Sequence, residues 1–313
     1  MSNNVEIEKE FSSYYKHADD ISNKAQKKYI HAFKGTVIPL IVASGVSCIT
    51  GLISERFYNT LLVLNSFIIV CILISIICSI MVHQSKLQKF WYEGRAVAES
   101  LKTMGWKYVN CTAPYENSED PIPVDERFVA DLKSIMENNE DILERIKLLD
   151  ENAPTIITQA MKNFRNLSWQ EKKDIYLDQR IKDQRGWYAD KAKTNSDEKN
   201  KWFSISVLLQ ILALLAIFFI VKNSNITSDL VGFLSSASTA IVSWIQVKRY
   251  QELQQAYSTT AFELDIIYNQ GNQIDNARDF LSFVEDAEKA ISREHTLWIA
   301  RRDHTKLREL LKD

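Results

Sequence analysis

Four long uncharged segments stand out along an otherwise polar chain. They lie at residues 36–54, 60–82, 202–221 and 230–247. About 20 apolar residues in a helix cross the hydrocarbon core of a bilayer, so each segment is long enough to span a membrane. Short polar connections pair the first segment with the second and the third with the fourth. The pattern predicts an all-α membrane protein with two transmembrane helical hairpins, that is, four spans. Buried core helices of a soluble protein are the alternative.

The same plan recurs in the two halves of the chain. Each half carries a polar helix that leads into the membrane, a hairpin, a helix that leads out, a break and a further amphipathic helix. The breaks are predicted at residues 113–115 and near Gly271. We therefore expect an architectural tandem repeat with long cytoplasmic helices. It has two predicted domains, residues 1–152 and 153–313, each with one hairpin.

Basic residues favour one orientation for both hairpins. Thirteen Lys and Arg residues flank the outer ends of the hairpins, whereas the two connecting loops carry Arg56 and Lys222. Because Lys and Arg are enriched on the cytoplasmic side of membrane proteins, both termini are predicted to be cytoplasmic. The overall balance of 38 basic and 40 acidic residues argues against direct DNA or RNA binding.

An apolar series beyond the first hairpin has the spacing of a coiled coil. Its members recur at alternating steps of three and four residues: Leu132, Ile135, Asn139, Ile142, Ile146 and Leu149. A polar residue such as Asn139 at a seam position can fix the register between subunits. The alternative is that the helix packs inside its own domain with Asn139 at the solvated edge. A related series follows the second hairpin: Phe280, Phe283, Val284, Ala287, Ile291 and Trp298.

Signatures of catalysis do not occur in the sequence. The five histidines lack zinc-ligand spacing, and there is no phosphate-cradling glycine motif and no serine-nucleophile elbow. Eight glycines among 313 residues also argue against a turn-rich β fold. We expect no enzyme activity, no cofactor and no metal site.

Small hydroxyl residues form a stripe on the fourth span. Ser235, Thr239 and Ser243 recur at helical spacing, and Ser44 and Ser47 make a shorter face on the first span. Small side chains let membrane helices pack closely. In an oligomer, hydroxyl groups can instead line a hydrated pore. These five residues are candidate pore-lining residues, and close packing is the alternative.

Aromatic and charged positions at fixed distances from the hairpins resemble a known family. One group lies at residues 14–29 and 91–115 and includes the run WYEGRAVAESLK. The other is the run YLDQRIKDQRGWYADKA at 176–192, with further positions between Phe280 and Trp298. The first group resembles the SLATT module, the two-transmembrane effector domain associated with SMODS nucleotide-messenger synthetases and nucleotide-sensing SLOG domains. The second is similar to its companion SLATT-type domain, and together they cover nearly the whole chain.

The resemblance implies a multi-pass effector in the bacterial inner membrane that serves anti-phage, abortive-infection defence. Such an effector is expected to oligomerise and to permeabilise or depolarise the membrane. Its expected partners are the lipid bilayer, further copies of the chain, and a cyclic nucleotide or other nucleotide signal from a neighbouring synthetase. A non-conducting membrane scaffold that recruits a cytoplasmic partner is the alternative.

Four residues before the third span are candidates for binding that signal. Arg180, Arg185, Trp187 and Tyr188 put guanidinium and aromatic groups close together in the sequence. Guanidinium groups pair with phosphate, and aromatic faces stack on bases. The alternative is that these side chains anchor the helix at the membrane interface.

Overall fold

Most of the part of the chain that the structure describes is helical, and no strand occurs there. The computed structural model describes residues 6–116, 122–149, 155–222 and 229–300, with the backbone alone at 148–149 and 293–300. The helices are α1 (Ser13–Thr50), α2 (Tyr58–Gln84), α3 (Leu87–Asn110), α4 (Val124–Glu137), α5 (Glu140–Leu149), α6 (Gln159–Arg165), α7 (Trp169–Tyr176), α8 (Asp183–Lys222), α9 (Leu230–Lys248), α10 (Tyr250–Asn272) and α11 (Ala277–Ala300). Short 3-10 helices lie at Ile7–Glu10 and Glu55–Phe57, and a π-helical segment, Leu177–Lys182, joins α7 to α8.

The predicted spans at 60–82, 202–221 and 230–247 lie within α2, α8 and α9, whereas the one at 36–54 runs four residues past the end of α1 at Thr50. Four helical stretches in the described residues are long and apolar enough to cross a membrane, and each contains most or all of one predicted span. Large apolar side chains such as Val63, Phe67 and Phe218 are exposed along them, as lipid-facing positions require. The prediction of an all-α membrane protein with four spans is confirmed. The predicted breaks are also confirmed, since α3 ends at Asn110 and α10 ends at Asn272.

The chain divides into two compact units that do not follow the two halves of the sequence. Unit 1 consists of the described residues within Met1–Gln26, Gln88–Asp190 and Ala256–Asp313. Unit 2 consists of those within Lys27–Leu87 and Lys191–Gln255. The predicted domain boundary between residues 152 and 153 lies outside the described residues and stays a prediction.

Aromatic side chains make the centre of unit 1. Trp106 of α3 is fully buried, and its ring meets those of Phe11, Tyr176 and Phe164 edge-on at centroid distances of 5.6, 5.4 and 6.4 Å. Such edge-to-face pairs place the positive ring edge against a negative ring face, which stabilises the core beyond the area buried. Segments from both sequence halves therefore build one hydrophobic core.

The apolar series around Asn139 contributes to this core and not to a coiled coil. Helix α4 ends at Glu137 and α5 begins at Glu140, so no single helix carries the series. Leu132, Ile142 and Ile146 are buried within unit 1. Half-buried Asn139 lies in the turn, where its side-chain amide donates to the carbonyl oxygen of Ile135 at 2.8 Å. The predicted intersubunit seam is wrong, and packing within the chain's own core is confirmed.

Unit 2 is held together by small side chains and helix-to-helix hydrogen bonds. Helix α1 contains Pro39, whose missing amide hydrogen removes a helical hydrogen bond. In the preceding turn, the Ser75 hydroxyl of α2 donates to the carbonyl oxygen of Thr36 at 2.8 Å. This bond lies beside the proline but does not replace the one that is missing, since the carbonyl that loses its donor is that of Gly35, four residues before Pro39. Phe33 of α1 also lies 6.3 Å, between ring centroids, from Trp244 of α9.

Candidate functional site

The predicted pore-lining hydroxyls of α9 share one face of that helix. Ser235 and Thr239 are exposed and Ser243 is half-buried. The Thr239 hydroxyl donates to the carbonyl oxygen of Ser235 at 2.9 Å, and the Ser243 hydroxyl donates to that of Thr239 at 3.0 Å. The stripe is therefore a run of polar side chains that bond back to their own helix.

A separate face of α9 packs against α8. Ser238 has 4% of its surface exposed, and its hydroxyl oxygen lies 2.9 Å from the Ser206 hydroxyl oxygen. The Gln210 side-chain amide donates to the Ser238 hydroxyl at 3.0 Å. Polar packing between these two helices therefore uses Ser238, the neighbour of Thr239, and leaves the stripe on another face.

The two candidates on the first span do not join the stripe. Ser44 and Ser47 are half-buried on α1, and the Thr50 hydroxyl donates to the carbonyl oxygen of Ser47 at 2.7 Å. Among the described residues, no hydrogen bond links them to α9. A joint pore lining by α1 and α9 stays a prediction.

The four candidate signal-binding residues do not form one surface patch. Arg180 has no exposed surface, and Tyr188 is buried against Trp187 with ring centroids 5.0 Å apart. Trp187 is 36% exposed. Arg185 is half-buried and pairs with Asp265, with 2.7 Å between Nη1 and Oδ1. The structure thus brings Trp187 and Tyr188 together, places Arg180 in the interior, and engages Arg185 elsewhere.

Arg180 pairs in the core of unit 1 with a carboxylate that is equally inaccessible. Its Nε and Nη2 atoms donate to the two carboxylate oxygens of Glu288 at 2.9 and 2.8 Å. The hydroxyls of Tyr176 and Thr103 donate to the same carboxylate at 3.0 and 2.9 Å. A buried charge pair is stable only when its remaining hydrogen-bonding capacity is met, and four donors meet that of Glu288.

A second carboxylate lies beside this pair. Glu8, on the 3-10 helix before α1, accepts from the Trp106 indole nitrogen at 2.8 Å and pairs with the Lys102 ammonium at 2.7 Å. Its Oε1 atom is 3.7 Å from Nη1 of Arg180. We call Glu8, Lys102, Trp106, Arg180 and Glu288 the buried charge cluster.

The electrostatics of the cluster keep its arginine charged. Burial opposes the charged form of Arg180, but the carboxylates of Glu288 and then Glu8 raise the pKa of Arg180 above its ordinary value. Burial, followed by the charge of Glu288, raises the pKa of Tyr176 well above 10. Tyr176 therefore remains a neutral hydrogen-bond donor to Glu288 at physiological pH.

Sequence reasoning missed Glu8, Lys102 and Glu288. A signal for Glu288 is present, because it follows the buried Val284 by four residues on a helix and so belongs to its apolar face. Arg180 likewise follows the buried Tyr176 by four residues. Glu8 offers no periodic signal, since it lies in a four-residue helix.

The buried charge cluster has two carboxylates, Glu8 and Glu288, beside its N–H donors. Within the described residues, no group of three or more His, Cys, Asp or Glu side chains is close enough together to hold a metal ion. The cluster instead combines ammonium, guanidinium and indole N–H donors. Such a set of donors can bind an anion.

Comparison with protein families places both halves of the chain in one group. The SMODS and SLOG-associating 2TM effector domain 3 matches residues 13–173, and the SMODS and SLOG-associating 2TM effector domain 1 matches residues 176–298. No curated protein and no solved structure matches the chain. The two matches follow one another and cover both hairpins, as the resemblance in the sequence predicted. The chain belongs to the SLATT family of two-transmembrane effector domains and carries two of them in tandem.

Proposed function

We propose that this protein is an oligomeric effector that permeabilises or depolarises the bacterial inner membrane in a nucleotide-signal-linked anti-phage defence system. The effector role follows from the SLATT family, whose domains associate with SMODS and SLOG proteins. Both termini lie in the cytoplasm in this proposal, because the basic residues flank the outer ends of both hairpins. The activating signal is a cyclic nucleotide or a related nucleotide.

The observation that carries the conducting role is the exposed hydroxyl stripe of α9. Polar packing between α8 and α9 uses Ser238, with Ser206 and Gln210, whereas Ser235 and Thr239 are exposed on another face. A polar face on a lipid-exposed helix gains little from contact with hydrocarbon. It gains more by facing another subunit or a water-filled path.

The test replaces Thr239 by leucine and measures ion flux and oligomer size on the same protein in liposomes. If the stripe lines a pore, Thr239→Leu makes an apolar constriction, so activated flux falls strongly while the oligomer persists. Ile241→Leu is the matched control, because Ile241 is an apolar residue of the same helix that lies about 200° around its axis from Thr239. The control should conduct like the wild-type protein.

Two outcomes count against the conducting role. Full flux through an intact Thr239→Leu oligomer removes Thr239 from the lining. A wild-type protein that leaves the membrane potential unchanged, with and without the neighbouring synthetase, favours the non-conducting scaffold.

A further inference from the structure

The buried charge cluster has the composition of an anion-binding site that is already occupied. Lys102 and Trp106 lie one turn apart on α3, and Arg180 approaches from the π-helical segment. All three direct N–H groups toward the Glu8 carboxylate, at 2.7, 2.8 and 3.7 Å. An ammonium, an indole N–H and a guanidinium on one anion make the donor set that recognises phosphoryl oxygens.

Glu8 fills this site incompletely. The Nη1 atom of Arg180 is buried and has no hydrogen-bond partner among the described residues, because Oε1 of Glu8 is too distant at 3.7 Å. A carboxylate offers two oxygens, and these already serve Trp106 and Lys102. A phosphoryl group has three oxygens and would also supply an acceptor for Nη1. The unpaired donor therefore favours a larger oxyanion than the one present.

The three donors are held independently of Glu8. Arg180 is fixed by its two hydrogen bonds to Glu288, while Lys102 and Trp106 belong to the long helix α3. Removal of Glu8 would leave two cations against the single carboxylate of Glu288 among the charged members of the cluster. A buried excess of positive charge is costly, so an incoming anion would be strongly favoured.

Glu8 itself lies on the least anchored element of the site. Its four-residue 3-10 helix is held by a hydrogen bond from the Ile7 amide to the Gln179 side chain at 3.1 Å and by one from the Thr158 hydroxyl to the Glu10 carbonyl at 2.8 Å. Phe11 adds its ring against Trp106. For this segment to leave, these hydrogen bonds must break and the buried side chains of Ile7 and Phe11 must come out of the core, whereas α3, a helix of 24 residues, buries many more side chains.

We infer that Glu8 is an internal stand-in for an anionic ligand, and that a phosphoryl group binds Lys102, Trp106 and Arg180 in its place and releases residues 6–12 from the core. That the phosphoryl group belongs to a nucleotide rests on the proposed function. The release of the segment is the structural change by which binding is communicated.

The experiment uses the full chain, purified in a phosphate-free glycoside detergent, with inorganic phosphate as the probe and chloride at equal ionic strength as the reference. Amide hydrogen exchange at residues 7–12 should rise with phosphate in the wild-type protein. Glu8→Gln should reach half-saturation at a phosphate concentration roughly tenfold lower, because one competing charge-assisted contact is gone. Glu6→Gln is the matched control, since Glu6 is exposed on the same segment and pairs with Lys9. It should respond as the wild-type protein does.

A second readout covers the case in which Glu8→Gln already releases the segment. Phosphate should then still raise the thermal midpoint of Glu8→Gln, and this shift should vanish in Glu8→Gln/Lys102→Met. The inference is overturned if Glu8→Gln and Glu6→Gln respond alike in both readouts, or if the shift survives the loss of Lys102.

Further arms separate the sources of the phosphoryl group. A cyclic dinucleotide that competes with inorganic phosphate supports a nucleotide ligand. A response confined to nanodiscs with phosphatidylglycerol, and absent with soluble phosphate, overturns the soluble ligand. None of these readouts depends on conduction, so they test the anion site independently of the proposed pore.

Discussion

The two units of this protein place polar groups in their interiors by opposite means. Unit 1 buries full charges, with Arg180 and Glu288 both inaccessible and joined by two hydrogen bonds. In unit 2 the corresponding interior contacts are neutral, such as the hydroxyl–hydroxyl contact of Ser206 with Ser238. The two kinds of contact differ in how much stability is lost when one partner is removed.

Replacing one partner of a buried charge pair strongly destabilises the unit that contains it. Coulombic attraction and hydrogen bonds offset the desolvation of both ions only while both are present, so removal of one leaves an uncompensated buried charge. Hydroxyl groups in a membrane bundle carry little such risk, since each already bonds within its own helix or to a neighbour. We therefore expect unit 1 to be sensitive to single polar changes and unit 2 to be tolerant of them.

The largest expected effect is that of Glu288→Gln. This change removes the hydrogen-bonded countercharge of the buried Arg180, with only Glu8 left at 3.7 Å, and should cost about 3–5 kcal/mol of stability. Hydrogen exchange of the α3 amides, which report on unit 1, measures the loss. The double variant Arg180→Met/Glu288→Met is the control and should recover much of it, because no charge is then left unpaired. If Glu288→Gln were as stable as the double variant, the proposed difference in sensitivity between the two units would be refuted.

A smaller effect is expected at a tightly packed glycine of unit 1. A Cβ added at Gly105 would lie 2.8 Å from Cδ2 of Phe11, so Gly105→Ala should cost about 1–3 kcal/mol through overpacking. In the matched control Gly186→Ala, nothing lies within 4 Å of the added atom, and better helix propensity should stabilise by up to about 1 kcal/mol. Chemical denaturation of both variants gives the comparison. Equal free energies of unfolding for the two variants would mean that the Phe11 side chain moves aside at little cost.

Local patterns predicted the architecture of this chain well. The four uncharged segments identified the spans within α1, α2, α8 and α9, because hydropathy over 20 residues depends on no distant contact. The helix breaks near Pro114 and Gly271 were likewise visible in turn residues. The grouping of segments from both halves into one core was not visible, since it depends on contacts between residues far apart in sequence.

The candidate site was only partly predictable for the same reason. Arg180 was singled out as a phosphate contact, but its pairing with Glu288 joins residues 108 positions apart. Glu8 and Trp106 are separated by 98 positions, and a four-residue helix leaves no periodic trace. Asn139 misled in the opposite direction, because a regular spacing of apolar residues continued across a turn between two helices.

The smallest expected effect tests the neutral interior of unit 2. Ser238→Ala removes the hydroxyl that contacts Ser206 and accepts from Gln210. Interhelical polar contacts in membranes average about 0.6 kcal/mol. The Gln210 amide nitrogen also lies 3.3 Å from the Ser206 hydroxyl, so it keeps an acceptor after the change.

The cost of Ser238→Ala should therefore stay below about 1 kcal/mol, measured by reversible unfolding of the chain in mixed micelles. Ser243→Ala is the matched control, because its hydroxyl bonds to the carbonyl oxygen of Thr239 within its own helix. The two alanine variants should be nearly alike. A Ser238→Ala cost that approaches that of Glu288→Gln would mean that the α8–α9 contact is as sensitive as a buried ion pair, and that unit 2 does not owe its tolerance to neutral polar groups.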